Sequence, residues 1–338
     1  MPQQRTVLCI QDLSCVGRSS LAVVLPTLAA AGASPCALPT ALLSTHYGGF
    51  GAPVCSDESA FALAALEHYG RLGLAFDCVY SGYLPDARQA ALVERAYAQS
   101  PAALRVADPA MADHGKLYSA LTPEVCAAQA RLCAQADVIV PNATEAALLL
   151  EEDGETGASG LQAMRHAALL LERFPHLRCA VVTGAAAGPA DGSAAQPADG
   201  ENAAKPVDGG AAAPADESMA APANGSRASP TAKSTAAPAA NGTAQRGNVC
   251  AVRGKEPVFL PYEAVPQAYP GTGDLFAAVL TGALLAECDA QSAVSIAARF
   301  VSGAARDTLR AGADARFGVR FEPLLGALAE WVRRPLQG

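Results

Sequence analysis

Short apolar runs alternate along the chain with longer Ala- and Leu-rich segments of helical period. The runs are VLCI at 7–10, CALPT at 36–40, CVYSG at 78–82, LRVAD at 104–108, DVIVP at 137–141 and CAVVTG at 179–184. Strands that are apolar at consecutive positions, rather than at every second one, need both faces covered. The alternation therefore predicts βαβ units and an α/β fold, with a mostly parallel central β-sheet and helices on both faces. Helix starts are legible as well. Thr122-Pro123-Glu124 places a capping Thr before a Pro at the first helical position, and Asp86 stands three residues before Gln89. Leu161, Met164, Ala168 and Leu171 follow helical spacing, as do Leu324, Leu325, Leu328, Trp331 and Val332, which places Met164 and Trp331 in the core.

Residues 185–247 break this pattern. They are almost all Ala, Pro, Gly, Asp, Ser, Asn and Thr, with no aromatic and only Val207 and Met219 as larger apolar side chains. Such a segment cannot bury enough surface to offset its chain entropy. It separates the VVTG run from VCAVRG and PVFLPY, which read as the two strands of a hairpin. The expectation is one domain formed by 1–184 and 248–338, with 185–247 as a disordered low-complexity insertion at a loop tip. A partner-binding segment is the other reading of that stretch.

Composition narrows the function classes. With 338 residues and 51% hydrophobic content the chain can bury a large core. A net charge of −8, with no basic cluster beyond Arg333-Arg334, argues against nucleic acid and anionic membranes as partners. The apolar run near the N-terminus is too short for a signal peptide, and no stretch approaches the ~20 apolar residues of a membrane span. A soluble, cytoplasmic protein is expected. The ten cysteines are scattered singly, without a CxxC pair, and mostly within apolar runs, so they read as buried reduced thiols rather than metal ligands.

The chemistry concentrates at Tyr269-Pro270-Gly271-Thr272-Gly273-Asp274, where a glycine turn meets the start of a helix. Backbone N–H groups at such a turn point outward, so Gly271, Thr272 and Gly273 form a predicted anion hole. An acid in the first helical turn is favoured by the helix dipole alone. Beside an anion cradle, however, Asp274 also suits removal of a proton from an alcohol that attacks a phosphoryl group. Asp108 and Asp113 lie just past the LRVA run, at a strand's carboxyl edge where open α/β sheets place ligands. Two carboxylates there can hold Mg²⁺ against nucleotide phosphates, or simply form turns. Asn142 and Glu145 have the spacing of a helix cap and its third-position acid.

GTGDLFAAVL at 271–280, QDLSCVG at 11–17, STHYGGFG at 44–51, SGY at 81–83, DPAMAD at 108–113 and PNATEA at 141–146 occur in an informative order. With these motifs the chain resembles the pyridoxal/pyridoxamine kinases of the ribokinase-like superfamily over residues 5–183 and 249–333. The resemblance implies a ribokinase-like fold and ATP-dependent phosphorylation of a vitamin B6 vitamer, with Asp274 as catalytic base. It further implies nucleotide-side roles for Asp108, Asn142, Glu145 and Thr183, a magnesium site drawn from Asp113, Asp108 and Glu145, and a homodimer. Val140 stands where many relatives carry a Thr associated with a monovalent cation, which leaves a K⁺ requirement open.

On the vitamin side the resemblance implies Asp12, Ser44, His46, Tyr47 and Tyr83 as substrate contacts, alongside Asp274. Asp12 occupies a place that is often Ser in the family, in a loop with Ser14 and Gly17, and Tyr47 a place that is usually Thr. His46 reads equally well as a satisfied core histidine. Hydroxymethylpyrimidine is an alternative substrate of close geometry, although relatives with that activity tend to carry an SGGAG-like loop where QDLSCVG stands. A non-catalytic vitamin or nucleotide binder is the alternative from another class, disfavoured by the intact Asp274. No GxGxxG follows the first strand, which argues against a dinucleotide-dependent dehydrogenase.

Overall fold

Each expected strand is found, and the sheet is widened at both edges by hairpin connections. The computed structural model describes residues 4–118, 121–152, 158–187 and 246–333. In chain order they form β1 (Thr6–Ser14), α1 (Leu21–Ala30), β2 (Ser34–Leu43), β3 (Cys55–Asp57), α2 (Ser59–Arg71), β4 (Cys78–Ser81), α3 (Ala90–Gln99) and β5 (Leu104–Ala107). There follow β6 (Ala112–Asp113), β7 (Lys116–Leu117), α4 (Pro123–Cys133), β8 (Val138–Ile139), α5 (Ala143–Leu149), α6 (Gly160–Arg173) and β9 (Cys179–Ala186). The remainder is β10 (Arg246–Val252), β11 (Val258–Tyr262), α7 (Thr272–Leu285), α8 (Ala290–Arg310) and α9 (Leu325–Arg333).

The main sheet has nine strands in the order β11-β10-β9-β8-β5-β4-β1-β2-β3. From β9 to β2 the pairs are parallel, because each connection passes through a helix; β10 pairs antiparallel with β9 and β11, and β3 with β2. Successive strand residues enter opposite cores. Val7, Cys9, Tyr80, Val106 and Val181 face α1, α7, α8 and α9, while Leu8, Ile10 and Val79 face α2, α3 and α4, and Ala107, Ile139, Ala180 and Val182 face α5 and α6. This two-sided burial is what the uninterrupted apolar runs require.

Thr122 is the N-cap of α4, with Pro123 at its first position. Asp86 instead caps a short 3-10 turn that leads into α3, its carboxylate accepting from the Arg88 N–H at 2.8 Å. The α6 stripe is rotated from expectation. Leu161 is 78% exposed, and the buried face is Ala163, His166, Ala167 and Leu170, with Met164 packed at its margin. Trp331 packs partly buried, edge-on to Phe300 and under the Arg299 guanidinium. Among the described residues no helix is long and apolar enough to cross a membrane.

The hairpin read from VCAVRG and PVFLPY is β10 with β11. β9 runs to Ala186 and β10 begins at Arg246, so the sheet takes in two residues at each end of the 185–247 segment. The rest of the proposed insertion lies outside the described residues. Ala186 is the direct sheet partner of Arg246, so a short linker can join them. Replacing 188–245 by a brief Gly/Ser loop is expected to leave the melting temperature of the kinase domain within a few degrees of wild type, since its composition offers no core. A loss of ten degrees or more in a thermal melt would show that the segment packs.

Candidate active site

The site lies where the parallel strands end. β1, β4, β5, β8 and β9 finish at one edge of the sheet, and their last residues or the turns just beyond carry Asp12, Tyr83, Asp108, Asn142 and Thr183. Asn142 and Thr183 are bridged across this edge, with the Thr183 N–H donating to the Pro141 carbonyl at 2.9 Å.

The turn before α7 comes in from the sheet face that carries α1 and α8. Gly271 is its N-cap residue in left-handed conformation, at φ 75°. It sits so close to the loop after β1 that a Cβ would collide with the Arg18 carbonyl. The first helical bond runs from Leu275 N–H to the Gly271 carbonyl at 3.0 Å, and no side chain caps the helix. The amides of Gly271, Thr272, Gly273 and Asp274 therefore have no intrahelical acceptor, which is the expected cradle. Gly273 is exposed, with nothing near the place of a Cβ, so the cradle opens outward.

Asp274 is turned inward. Its Oδ2 accepts the Ser20 backbone N–H at 2.9 Å, tying α7 to the start of α1. Loss of water pushes its pKa up to about 7, against the lowering effect of that hydrogen bond, and the negative charge of Asp12 adds to the rise. Asp12 is almost fully buried, and burial raises its own carboxyl to about 6, with hydrogen bonds from Ser20 and Ser14 opposing the shift. Ser14 Oγ donates to Asp12 Oδ2 at 3.3 Å, while Asp12 Oδ1 has no protein partner. Tyr47, Tyr83 and Cys55 all feel the Asp12 charge, so these side chains gather round one carboxylate.

On the other flank Asp108 is buried at the end of β5. Desolvation, then the charges of Glu145 and Asp274, hold its carboxyl well above the usual range. Glu145 is buried too. Burial raises its pKa, opposed by backbone N–H groups of Asn142 at 2.8 Å, Met111 at 2.9 Å and Ala112 at 3.3 Å. Asn142 and Glu145 form a reciprocal capping box on α5, and Asn142 Nδ2 donates to the Ala112 carbonyl at 2.6 Å. The result is a file of carboxylates in which Asp12 raises the pKa of Asp274, and Asp274 and Glu145 raise that of Asp108.

No family model matches the chain, and no curated protein matches it. Solved structures do. A Bacteroides thetaiotaomicron protein provisionally named a phosphomethylpyrimidine kinase superposes with a TM-score of 0.75 at 26% identity, over 99% of this chain and 96% of that one. A second crystal form of it, with pyridoxal, gives 0.75 at 24% identity over 99% and 98%. Pyridoxal kinase from Lactobacillus plantarum gives 0.74 at 27% identity over 97% and 98%. Pyridoxal kinase from Leishmania donovani, in complex with ADP and pyridoxamine, shares the fold at 19% identity, with a TM-score of 0.67 over 98% and 97%. The chain thus has the fold shared by pyridoxal kinases and this phosphomethylpyrimidine kinase relative.

Within this kinase fold the hard oxygen donors of Asp108 and Glu145 fit Mg²⁺: burial raises the pKa of both, with the Glu145 charge adding to the rise at Asp108 and the Asp113 charge to that at Glu145. Such an ion takes one or two protein carboxylates and completes its shell with water and phosphate oxygens. A three-ligand protein set is not built: among the described residues no three His, Cys, Asp or Glu side chains converge to hold an ion. Asp113 lies at the rim of the Asp108 and Glu145 pair. It is half exposed on the β6–β7 hairpin and accepts the His114 N–H at 2.8 Å, with that imidazole 3.5 Å away, yet its charge still reaches Glu145. Val140 packs in the core and brings no side-chain oxygen to the place of the K⁺-associated Thr.

Ser44 and His46 serve the architecture. Ser44 Oγ accepts the Val54 N–H at 2.9 Å and closes the 44–54 loop. His46 donates through Nε2 to the Arg316 carbonyl at 2.8 Å and accepts the Gly48 N–H on Nδ1 at 2.9 Å, so both ring nitrogens are committed inside the protein. Burial lowers its pKa and keeps it neutral. Phe50, edge-on to His46 and Phe317, locks the same loop.

Two residues of the pocket escape a reading of the sequence. Cys55, exposed on β3, comes within the influence of the Asp12 charge because β3 folds back on β2. Tyr118, partly exposed after the short hairpin, feels the charges of Glu145, Asp113 and Asp108, and the hairpin is strapped to α5 by the Gly115 N–H on Thr144 Oγ1 at 2.9 Å. Neither carries a local signal.

Proposed function

We propose that this kinase transfers the γ-phosphoryl group of ATP to the 5′-hydroxymethyl group of a vitamin B6 vitamer. The observation that carries the reading is the position of Asp274, a carboxylate with a pKa near neutrality beside an outward-facing amide cradle, with Asp12, Tyr47 and Tyr83 on one flank and Asp108 and Glu145 on the other. A ring held among Asp12, Tyr47 and Tyr83 presents its hydroxymethyl group to Asp274, which takes the hydroxyl proton as the oxygen attacks. The amides of 271–274 stabilise the charge on the transferring group. Asp108 and Glu145 would hold Mg²⁺, which would neutralise charge on the nucleotide phosphates. The ADP complexes of the Leishmania donovani and Bacillus subtilis pyridoxal kinases support nucleotide use.

The direct test is ATP consumption by the purified chain over pyridoxal, pyridoxine, pyridoxamine and hydroxymethylpyrimidine. Hydroxymethylpyrimidine is kept as a second reading by the name of the Bacteroides protein, although that protein was also crystallised with pyridoxal. Above pH about 6 Asp12 is a carboxylate. It then favours the cationic aminomethyl group of pyridoxamine over the neutral aldehyde of pyridoxal. Pyridoxamine is accordingly expected to turn over at least as well as pyridoxal, with hydroxymethylpyrimidine clearly poorer. The double change Asp12→Ser with Tyr47→Thr should move the kcat/KM ratio toward pyridoxal. An unchanged ratio, or hydroxymethylpyrimidine as best substrate, would place the ring elsewhere.

A further inference from the structure

Beneath the reacting carboxylates lies a side chain with no role in the scheme above. Gln11 precedes Asp12 on β1, is fully buried, and has a protein partner for neither its amide nitrogen nor its amide oxygen. An amide held this way costs on the order of 1–3 kcal/mol, so an apolar side chain of equal length would give the more stable fold.

Its direction is set by the neighbouring strands. Ile10 pairs with Ser81, and Ser81 with Ala107. The ladder continues from Gly82 N–H to the Ile10 carbonyl at 3.2 Å and from Asp108 N–H to the Ser81 carbonyl at 2.9 Å. Gln11, Gly82 and Asp108 thus form one row across the sheet, two residues past Cys9, Tyr80 and Val106 and on their face. Gly82 has no side chain, and a Cβ there would collide with the Gln11 amide oxygen. The amide therefore lies across Gly82 on the way to Asp108. Two strand spacings, about 9.6 Å, separate the ends of this row, leaving a gap between amide and carboxylate that one water spans. The Tyr80 hydroxyl, also buried on this face without a protein partner, feels the charges of Asp108 and Asp274 and supplies a further polar group for such a water.

We propose that Gln11 is a positioning residue for phosphoryl transfer: its amide, through an ordered water shared with Tyr80, holds the Asp108 carboxylate toward the nucleotide phosphates. This rests on the kinase reading above. Removing the partner that orients a metal-facing carboxylate typically costs 10–100-fold in metal affinity or activity.

The test is Gln11→Met, which keeps length and removes the polar atoms. The ligand-free variant should melt at or above the wild-type temperature. Its half-saturating Mg²⁺ concentration in the ATP assay should rise about tenfold or more, with KM for the vitamer unchanged. Gly82→Ala, which pushes the amide aside with Gln11 still present, should reproduce the Mg²⁺ shift. A Met variant with wild-type Mg²⁺ dependence overturns the inference and leaves the kinase reading intact. A large fall in melting temperature also overturns it, by showing that Gln11 is core filling. A wild-type protein inert toward every vitamer sinks both.

Discussion

Asp274→Asn is expected to lower turnover by about 10²–10⁴-fold while ATP affinity stays near wild type. The substitution preserves size and the capacity to accept the Ser20 N–H, so the α7 turn should keep its place. What is lost is a group that can take the hydroxyl proton. Because the pKa of Asp274 is raised to about 7, its basic form is depleted below neutrality. The wild-type rate should therefore climb with pH through about 6–7, where Asp12 and Asp274 both ionise. Steady-state kinetics over pH 5–9 with varied ATP checks both points. Turnover within a few-fold of wild type would remove Asp274 from the proton transfer, and a flat profile across that range would separate its ionisation from the rate.

The two glycines of the turn should respond oppositely to the same change. Gly271→Ala puts a Cβ on a left-handed residue, at about 1–2 kcal/mol, and drives it into the Arg18 carbonyl, which belongs to a packed backbone and cannot rotate aside. With about 1–3 kcal/mol for overpacking the expected loss is roughly 2–5 kcal/mol, together with displacement of the amide cradle and at least a hundredfold fall in turnover. Gly273→Ala meets open space at ordinary φ, so stability should hold and any effect should appear as weaker ATP use, because the added methyl projects from the outward side of the cradle. Chemical denaturation of both variants beside kinetics separates the two. Equal stability of the Gly271 and Gly273 variants would mean that the turn relaxes freely and that its contact with the loop after β1 is not what holds the cradle.

Sequence periodicity alone determined that this chain forms a parallel α/β sheet covered on both faces. A strand that must bury both faces is apolar at consecutive positions, and a helix start is marked by its own cap, as at Thr122-Pro123 and Asn142 with Glu145. The motif at 271–274 likewise announced a glycine turn ahead of an acid. Such features are local, because their physical causes act within a few residues. Only the tertiary structure decided which polar side chains face an open site. Ser44 and His46 have the chemistry of contacts but are engaged by Val54, Arg316 and Gly48. Asp113 is left half exposed on a two-residue hairpin, while Cys55 and Tyr118 come within reach of the acids' charge through strand pairings that no local pattern marks. The same holds for the pKa values. Asp12, Asp274, Asp108 and Glu145 are ordinary acids in the chain, and only their convergence from β1, α7, the end of β5 and α5 removes them from water and sets their charges against one another.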